Sequence, residues 1–290
     1  MVVAVSGSKG FFGKTFTTLL KEKGGFNIVE LDISEGIDLS DRQFSDGIQK
    51  FDYFVHFANL SFVPHSFENP YDFYNTNFST TLNALELCRK YSAKFIYISS
   101  YVYGNPEYLP VDEKHPIVAF NPYAQSKVIC EQLCEGYHRD FDVDVTIFRP
   151  FNLYGFGQKN LIIAEIVEQI KQGKKSINLR NSKPRRDYVN VTDATEALFL
   201  AVAKEIKGFN IFNIASNKSY SVKEMTEIFE KYLEGMNISF TFDNNEIRRN
   251  EVYETRGSYQ NAQEVLGWNP KISFESGIKE ILIKEQLIKY

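Results

Sequence analysis

The stretch that decides the fold is Val2-Val-Ala-Val-Ser-Gly-Ser-Lys-Gly-Phe-Phe-Gly13. Its apolar run Val2–Ser6 predicts a buried strand, and the three glycines Gly7, Gly10 and Gly13 predict a tight turn that leads into a helix. Small residues in such a turn let the backbone approach a pyrophosphate, whose charge the N-terminus of the helix stabilises. The stretch therefore predicts the first strand-to-helix turn of a dinucleotide-binding sheet.

An acidic residue, Asp32, ends the second predicted strand, 26–31. A carboxylate at this place can accept a hydrogen bond from an adenosine ribose 2′-OH and repels a 2′-phosphate. Lys9, inside the glycine loop, could face such a phosphate or could point to solvent. We give Asp32 more weight because a carboxylate buried beside a phosphate is strongly unfavourable. NAD is therefore the expected cofactor, with NADP as the alternative.

Short apolar runs alternate with amphipathic stretches through the first half of the chain, which is typical of a parallel sheet with crossover helices. We predict an α/β fold: a Rossmann-type doubly wound parallel sheet with a smaller C-terminal α/β substrate-binding lobe. Residues 1–152 and about 188–214 would form the dinucleotide-binding domain, and about 153–187 and 215–290 the lobe. The further predicted strands are 37–39, 53–58, 95–99 and 143–148, and the predicted helices are 41–50, 71–91, 123–139, 160–172, 192–204, 221–233 and one after Trp268.

Tyr123 and Lys127 lie four residues apart in Asn121-Pro-Tyr-Ala-Gln-Ser-Lys127. On a helix this spacing puts both side chains on one face. A free tyrosine has a pKa near ~10, and a neighbouring cation favours the phenolate. The pair is therefore a candidate general acid/base for a hydroxyl proton. The same spacing also occurs on ordinary solvated helices, so its role depends on what the rest of the chain supplies.

Composition excludes several classes of function. The 290 residues carry a formal charge of −4 with both signs mixed, which does not favour nucleic acid or anionic membrane as a partner. The longest apolar runs are too short to cross a bilayer, and the N-terminus enters a strand without a secretion signal, so we expect a cytoplasmic protein. Cys88, Cys130 and Cys134 have the spacing of neither a disulfide nor a metal site, so we expect them to pack in the core or at a subunit contact, with no metal.

The glycine loop, the strand-end acid and the Tyr-Lys pair together resemble the extended short-chain dehydrogenase/reductase family, in its NAD-dependent epimerase/dehydratase branch. The resemblance covers nearly the whole chain, because further family landmarks follow in the expected order. They are Asp38-Leu39, His56-Phe-Ala-Asn59, Asn77 with Thr81, Ser99-Ser-Tyr-Val-Tyr-Gly104, Arg149-Pro-Phe-Asn-Leu-Tyr-Gly155, Arg186-Asp-Tyr-Val189 and Leu266-Gly-Trp-Asn-Pro270. In the family's His-x-Ala-Ala strand end, Asn59 replaces the second alanine.

This resemblance implies a role for each matching residue. Tyr123 would take the proton of a sugar hydroxyl while the carbon-bound hydrogen leaves as hydride to the nicotinamide, and Lys127 would bind the nicotinamide ribose and lower the pKa of the tyrosine. Ser99 would hydrogen-bond the reacting oxygen, although counting from the start of its strand selects Ser100 instead. The implied cofactor contacts are Gly7, Lys9, Gly10, Phe11, Phe12, Gly13, Asp32, Asp38, Leu39, Phe57, Ala58, Tyr123, Lys127 and Pro150.

The resemblance also implies a nucleotide-diphosphate sugar as substrate. Asn152, Arg186 and Arg249 match positions that contact the diphosphate, and guanidinium groups offer paired donors to its oxygens. The other reading of Arg186 is an ion pair with Asp187. Ser100 and Tyr101 would contact the sugar.

The residues that follow the expected catalytic serine exclude some reactions of the family. Dehydratases of the family carry an Asp-Glu pair there, and enzymes that invert C3 and C5 often carry a cysteine, whereas this chain has Ser100-Tyr101. Two reactions remain: 4-epimerisation through a transient 4-keto sugar, and a single redox step by a 4-ketoreductase or 4-dehydrogenase. Asp32 favours the epimerase, and the short connection from Asp32 to Asp38 resembles ketoreductases. We favour epimerisation.

Two further expectations concern catalysis and assembly. Relatives that bind NAD(P) only as sensors typically lose the tyrosine or the lysine, and this chain keeps both, so we expect an enzyme. Family members commonly dimerise through two long helices, which correspond to 72–91 and 123–139 in this chain. We therefore expect a homodimer.

Overall fold

The computed structural model describes residues 1–45, 47–243 and 252–289. In chain order its strands are β1 (Val2–Ser6), β2 (Asn27–Leu31), β3 (Tyr53–His56), β4 (Lys94–Ile98), β5 (Val145–Pro150), β6 (Asn152–Tyr154), β7 (Ser176–Leu179), β8 (Arg185–Asn190), β9 (Phe209–Ile214), β10 (Ser219–Ser221) and β11 (Ser239–Phe242). Its α-helices are α1 (Phe11–Lys23), α2 (Val63–Glu68), α3 (Pro70–Tyr91), α4 (Pro122–Phe141), α5 (Ile162–Lys171), α6 (Val191–Ala203), α7 (Val222–Tyr232), α8 (Gln260–Leu266) and α9 (Phe274–Lys284).

A six-stranded parallel sheet in the order β2-β1-β3-β4-β5-β9 forms the centre of the molecule. Helices α1 and α6 pack together over one face of the sheet, and α3 and α4 pack together over the other. Because both faces are covered, the strands are buried on both sides and read as continuous apolar runs. The doubly wound Rossmann-type sheet predicted from the sequence is confirmed.

The predicted strand 37–39 is wrong. Asp32 instead caps a single 3₁₀ turn, Ile33–Glu35, which Gly36 ends in the left-handed region at φ 82°. The five residues between Asp32 and Asp38 cannot hold the crossover of roughly a dozen residues that a parallel neighbour requires. Strand β2 is consequently the edge of the sheet.

The predicted helix 41–50 is also wrong, since the described residues of this stretch hold a 3₁₀ turn, Arg42–Ser45, and no α-helix. The carboxylate of Asp41 accepts from the backbone N–H of Gln43 at 2.8 Å. Short polar side chains that bond to nearby backbone in this way compete with regular helix. The other predicted strands and helices are confirmed to within a few residues at each end.

The C-terminal lobe is built on two small sheets, β10-β8-β6 and β11-β7. Helices α5, α7 and α9 cover them and enclose a separate apolar core that contains Ile166, Phe229 and Ile278. Helix α8 and Trp268 lie instead with the main sheet, where the Trp268 indole donates to the carbonyl of Asp193 at 2.8 Å. The chain thus crosses between the two parts several times.

The three thiols are buried between the main sheet and the helices α3 and α4. Burial raises the pKa of Cys88, Cys130 and Cys134 above the usual value of a thiol. They are core residues and do not reach the outer face of these two helices. No α-helix within the described ranges is both long enough and apolar enough to span a membrane.

Candidate active site

A cavity of about 690 Å³ opens at the carboxyl ends of the central strands, where ligands bind in doubly wound sheets. It brings together most of the residues predicted to bind cofactor or substrate. Those on its wall are Gly7, Lys9, Gly10, Phe11, Phe12, Gly13, Asp32, Phe57, Ala58, Ser99, Ser100, Tyr123, Lys127, Pro150 and Asn152.

The glycine loop is shaped by close backbone contacts. Gly7 has a φ of +64°, and a Cβ there would lie 2.9 Å from the backbone nitrogen of Ala58. A Cβ on Gly13 would lie 2.2 Å from the carbonyl oxygen of Gly7. Helix α1 begins directly after Gly10, so the loop leaves a concave backbone surface at a helix N-terminus, which suits a pyrophosphate.

The end of β2 is acidic. The carboxylate of Asp32 accepts from the backbone N–H of Lys9 at 2.9 Å and from the hydroxyl of Ser34 at 2.7 Å. Although desolvation raises the pKa of Asp32, these hydrogen bonds outweigh it, and the net pKa is lowered. The Lys9 ammonium pairs with Glu30 at 2.7 Å and Glu35 at 2.9 Å, and these contacts raise its pKa. The charge of Lys9 is therefore compensated by protein carboxylates.

Two predicted cofactor residues do not lie on the wall of this cavity. Asp38 is exposed, and its carboxylate accepts from the backbone N–H and hydroxyl of Ser40 at 2.8 and 2.7 Å. Leu39 is buried in the core, and its carbonyl accepts from the Asn83 amide at 2.9 Å. Both positions follow from the exposed 3₁₀ turn that replaces the predicted strand directly after Asp32.

Tyr123 stands on the first turn of α4, which begins with Pro122 and is capped by the Asn121 side chain, an acceptor for the Ala124 N–H at 2.7 Å. The half-buried phenol lies next to the Ser100 side chain on the cavity wall. Burial raises its pKa, and the Ser100 contact offsets this only partly. The phenol is therefore protonated in the free protein at neutral pH, and the lowering predicted for the Lys127 neighbour does not outweigh burial.

Lys127 is buried beneath the phenol. Its ammonium donates to the carbonyl of Ile98 at 2.7 Å and to Oδ1 of Asn59 at 2.5 Å, and it lies 5.9 Å from the centroid of the Tyr123 ring. Burial lowers the pKa of Lys127 to about 8, against the opposing effect of Glu131 and two cysteines. At pH 7 the group is still mostly cationic, as a neighbour that favours the phenolate must be.

The two serines at the end of β4 face different ways, as consecutive residues of an extended chain do. Ser99 is buried, and its hydroxyl donates to Glu131 at 2.5 Å. Glu131 in turn receives a bidentate hydrogen bond from the guanidinium of Arg149, at 3.0 and 2.5 Å. The Ser99 hydroxyl thus bonds to a buried carboxylate, whereas Ser100 is the serine beside Tyr123, and which of the two is catalytic stays a prediction.

A second cavity, of about 200 Å³, adjoins the first on the side of the lobe and shares Asn152, Gln158 and Leu161 with it. Arg180 and Arg186 line this second cavity. The Arg186 guanidinium donates to the carbonyl oxygens of Arg185 and Val252 at 2.9 and 2.7 Å. Two guanidinium groups and an amide thus converge at the far end of the cleft.

The remaining predicted substrate residues lie elsewhere. Tyr101 is on the wall of neither cavity, since its hydroxyl donates to the carbonyl of Gly104 at 2.7 Å and its ring packs on Phe151. Arg249 lies outside the described residues. Asp187, the alternative partner of Arg186, is fully buried and accepts from the N–H and hydroxyl of Ser216 at 2.7 and 2.6 Å.

Sequence reasoning missed several residues of the cleft. Asn59 was visible as a departure from the family pattern, but its contact with Lys127 was not foreseen. Gln158 and Leu161, which line both cavities, lie in the loop between β6 and α5, where no periodicity or motif marks them. Within the ranges the structure describes, no group of three His, Cys, Asp or Glu side chains is placed to hold a metal ion.

The glycine loop, the acid at the end of β2 and the Tyr-Lys pair on α4 define an NAD(P)-dependent enzyme of the extended short-chain dehydrogenase/reductase class. A family model described as GDP-mannose 4,6 dehydratase matches residues 14–281, and the chain belongs to this family. The class carries out redox chemistry on nucleotide sugars, and its members include both epimerases and reductases.

Named relatives include both kinds of enzyme. The chain is 31% identical to the GDP-6-deoxy-D-mannose reductase of Pseudomonas aeruginosa over 80% of this chain and 79% of the reductase. It is 28% identical to the UDP-glucose 4-epimerase of Bacillus subtilis over 95% of this chain and 94% of the epimerase. The crystal structure of a UDP-glucose 4-epimerase from Thermotoga maritima, solved with UDP-glucose, superimposes with a TM-score of 0.89 at 24% identity, covering 99% of both chains.

Proposed function

We propose that the protein is an NAD-dependent epimerase that inverts C4 of a nucleotide-diphosphate sugar through a transient 4-keto sugar. The observation that carries the proposal is the placement of the Tyr123 phenol beside Ser100, with Lys127 behind it, in a cleft that runs from the glycine loop to the arginine-lined cavity. One end of this cleft suits a dinucleotide and the other suits a sugar diphosphate. The phenol lies between the two.

The residues present fit NAD. The concave backbone of the glycine loop would hold the pyrophosphate, and Asp32 would accept from the adenosine ribose. Glu30 and Glu35 compensate the charge of Lys9, so the end of β2 disfavours a 2′-phosphate. When bound, NAD supplies a group that accepts hydride from the sugar carbon and returns it.

The side chains of this protein move the accompanying proton. Once Tyr123 has lost its own proton to solvent, its phenolate accepts the proton of the C4 hydroxyl as the C4–H bond breaks, which leaves a C4 ketone, and gives that proton back to the oxygen when hydride returns to the opposite face. Ser100 hydrogen-bonds the same oxygen and orients it. The Lys127 cation favours the phenolate during the first half of the cycle. Asn152 and Arg186 bind the diphosphate and hold the sugar in place.

Two features favour this proposal over the other reactions of the family, and a third supports the second candidate. Water loss needs an acid and a base beside the sugar, and Ser100 and Tyr101 supply no carboxylate there. The acidic end of β2 favours NAD, which an epimerase regenerates within each cycle. The short connection after Asp32 supports the second candidate, a 4-ketoreductase or 4-dehydrogenase that exchanges its cofactor after one redox step.

Cofactor retention separates the two candidates. The purified protein is denatured, the released nucleotide is identified by mass spectrometry, and intact protein is assayed with UDP-, GDP- and dTDP-sugars without added cofactor. We expect bound NAD and interconversion of C4 epimers of one sugar. Protein that is isolated empty and consumes NAD(P)H stoichiometrically with a 4-keto sugar would establish the reductase instead.

We also propose a homodimer through the outer face of α3 and α4. Tyr71, Tyr74 and Phe78 on α3 are exposed there and, with Ile129 on α4, border a shallow cavity of about 400 Å³. Exposed aromatic clusters of this kind favour protein contacts. Light scattering of the purified protein measures the mass of the assembly directly.

A further inference from the structure

We infer that Asn59 is a positioning residue for Lys127, which fixes the direction of the ammonium group beneath the phenol. Oδ1 of Asn59 accepts from the Lys127 ammonium at 2.5 Å and from the Tyr97 hydroxyl at 3.2 Å. The family pattern that this chain resembles has an alanine at this position, and an alanine cannot make these contacts. The effect on turnover rests on the proposed function, whereas the effect on Lys127 does not.

The carboxamide of Asn59 is held in one orientation by its other contacts. Its NH₂ group donates to the carbonyl of Ala58 at 2.5 Å, to Nε2 of His56 at 3.0 Å and, more weakly, to Thr80 at 3.4 Å. Turning the amide over would place NH₂ against the ammonium and the oxygen against acceptors. The orientation with Oδ1 toward Lys127 is therefore the only one in which donors meet acceptors.

His56 completes this arrangement because it is neutral. It is fully buried, and burial lowers its pKa to about 3, with the Lys127 charge acting in the same direction. Because Nε2 accepts from Asn59, the ring proton lies on Nδ1, which is 2.7 Å from the Ser6 hydroxyl. The imidazole thus supplies a fixed acceptor without adding a second positive charge.

The consequence for Lys127 is geometric. A lysine ammonium has three donors, and the carbonyl of Ile98 and the amide of Asn59 take two of them. Lys127 forms part of the cavity wall, so its third donor is available to a ligand bound there. Without Asn59, the flexible side chain would keep one anchor and could turn about it.

Charge substitution at Asn59 tests this inference directly. In protein labelled with ¹³C-lysine, the ε-carbon of Lys127 is titrated by NMR and assigned by its loss in Lys127→Arg. An opposite charge a few ångströms away raises a lysine pKa by about one to three units, so Asn59→Asp should shift the titration up by that much. Asn59→Ala removes an acceptor and should shift it down.

The comparison is controlled for other ionisable groups. Those around the ammonium are Tyr123, Cys130, Glu131 and Cys134 on α4, His56 on β3 and Tyr97 on β4. None is changed in either variant. Asn210→Asp makes the same chemical change on β9, where the amide donates to the Lys207 carbonyl at 2.8 Å, and should leave the titration of Lys127 unshifted.

Kinetics then connect the inference to catalysis. If the proposed reaction is found, Asn59→Ala should lower kcat about tenfold, the cost of losing one hydrogen bond to a charged group, and change KM little. An unshifted Lys127 titration in both Asn59 variants would overturn the inference. Absence of turnover on every nucleotide sugar would overturn the proposed function instead, and the titration would still decide the role of Asn59.

Discussion

The two walls of the cleft differ in how far their charged side chains are exposed to solvent. On and directly behind the sheet wall, formed by the ends of β3, β4 and β5 and by α4, Lys127, Glu131 and Arg149 are each less than one-tenth exposed, and protein groups satisfy them. Beside the lobe wall, the side chains of the Arg185–Glu224 ion pair are 31% and 42% exposed, and the neighbouring Arg186, which lines the smaller cavity, donates to backbone carbonyls. Buried charges keep one arrangement, whereas exposed ones can adjust.

This difference suits the two tasks of the site. Proton transfer needs atoms held at fixed distances, and a dry, hydrogen-bonded surrounding provides that. Recognition of a diphosphate needs cationic donors that remain hydrated until the ligand arrives and can then close on it. We therefore expect substitutions on the sheet wall to affect turnover or stability, and substitutions on the lobe wall to affect affinity.

The largest effect should come from the phenol. Tyr123→Phe removes the group that carries the proton and should lower kcat by roughly 10³-fold. Affinity for NAD and for the nucleotide sugar should stay close to that of the wild type, since the ring and its packing remain. Steady-state kinetics and calorimetric titration with each ligand measure the two quantities separately.

The neighbouring serines provide the matched control. Ser100→Ala should lower kcat by about tenfold through the lost hydrogen bond, whereas Ser99→Ala should act mainly on stability because that hydroxyl bonds to Glu131. The reverse order of effects on kcat would restore Ser99 as the catalytic serine. Retained turnover in Tyr123→Phe would remove the phenol from the mechanism altogether.

The second prediction compares a buried ion pair with an exposed one. Glu131→Gln leaves the buried Arg149 charge without its carboxylate and should lower the free energy of unfolding by about 3 kcal/mol. Glu224→Gln breaks the half-exposed pair with Arg185 and should cost less than about 1 kcal/mol. Urea unfolding followed by circular dichroism gives both values. Equal losses of unfolding free energy in the two variants would mean that burial does not distinguish the charged groups of the two walls.

The central sheet could be predicted from the sequence because its strands are buried on both faces and its first turn carries three glycines. The edge of the sheet could not be predicted, because Ile37 and Leu39 are apolar enough for a strand. Only the short connection after Asp32 excludes a strand there. The failed helix at 41–50 has the same origin: local hydrogen bonds of Asp41 compete with a weak helical pattern.

The site divides in a similar way. Tyr123, Lys127 and Asp32 could be placed because each depends on a local pattern within one helix or at one strand end. The choice between Ser99 and Ser100 depends on which face of the chain meets α4. The contact of Asn59 with Lys127 depends on how the fold brings together two residues that are 68 positions apart in the sequence. Such contacts arise only when separate segments pack together, and local patterns in a single sequence do not predict them.

The sharpest test of the lobe wall concerns Arg186. Arg186→Ala removes one guanidinium from the diphosphate end of the cleft and should weaken binding of the nucleotide sugar about tenfold, the value of one hydrogen bond to a charged group, while kcat changes less than about threefold. Arg186→Lys keeps the charge but loses the paired donors, so its affinity for the nucleotide sugar should lie between that of the wild type and that of Arg186→Ala. Because the guanidinium also bonds to the Val252 carbonyl, thermal unfolding of both variants measures any structural cost separately. A loss of kcat as large as that of Ser100→Ala, with affinity unchanged, would place Arg186 with the fixed catalytic groups and end the distinction between the two walls.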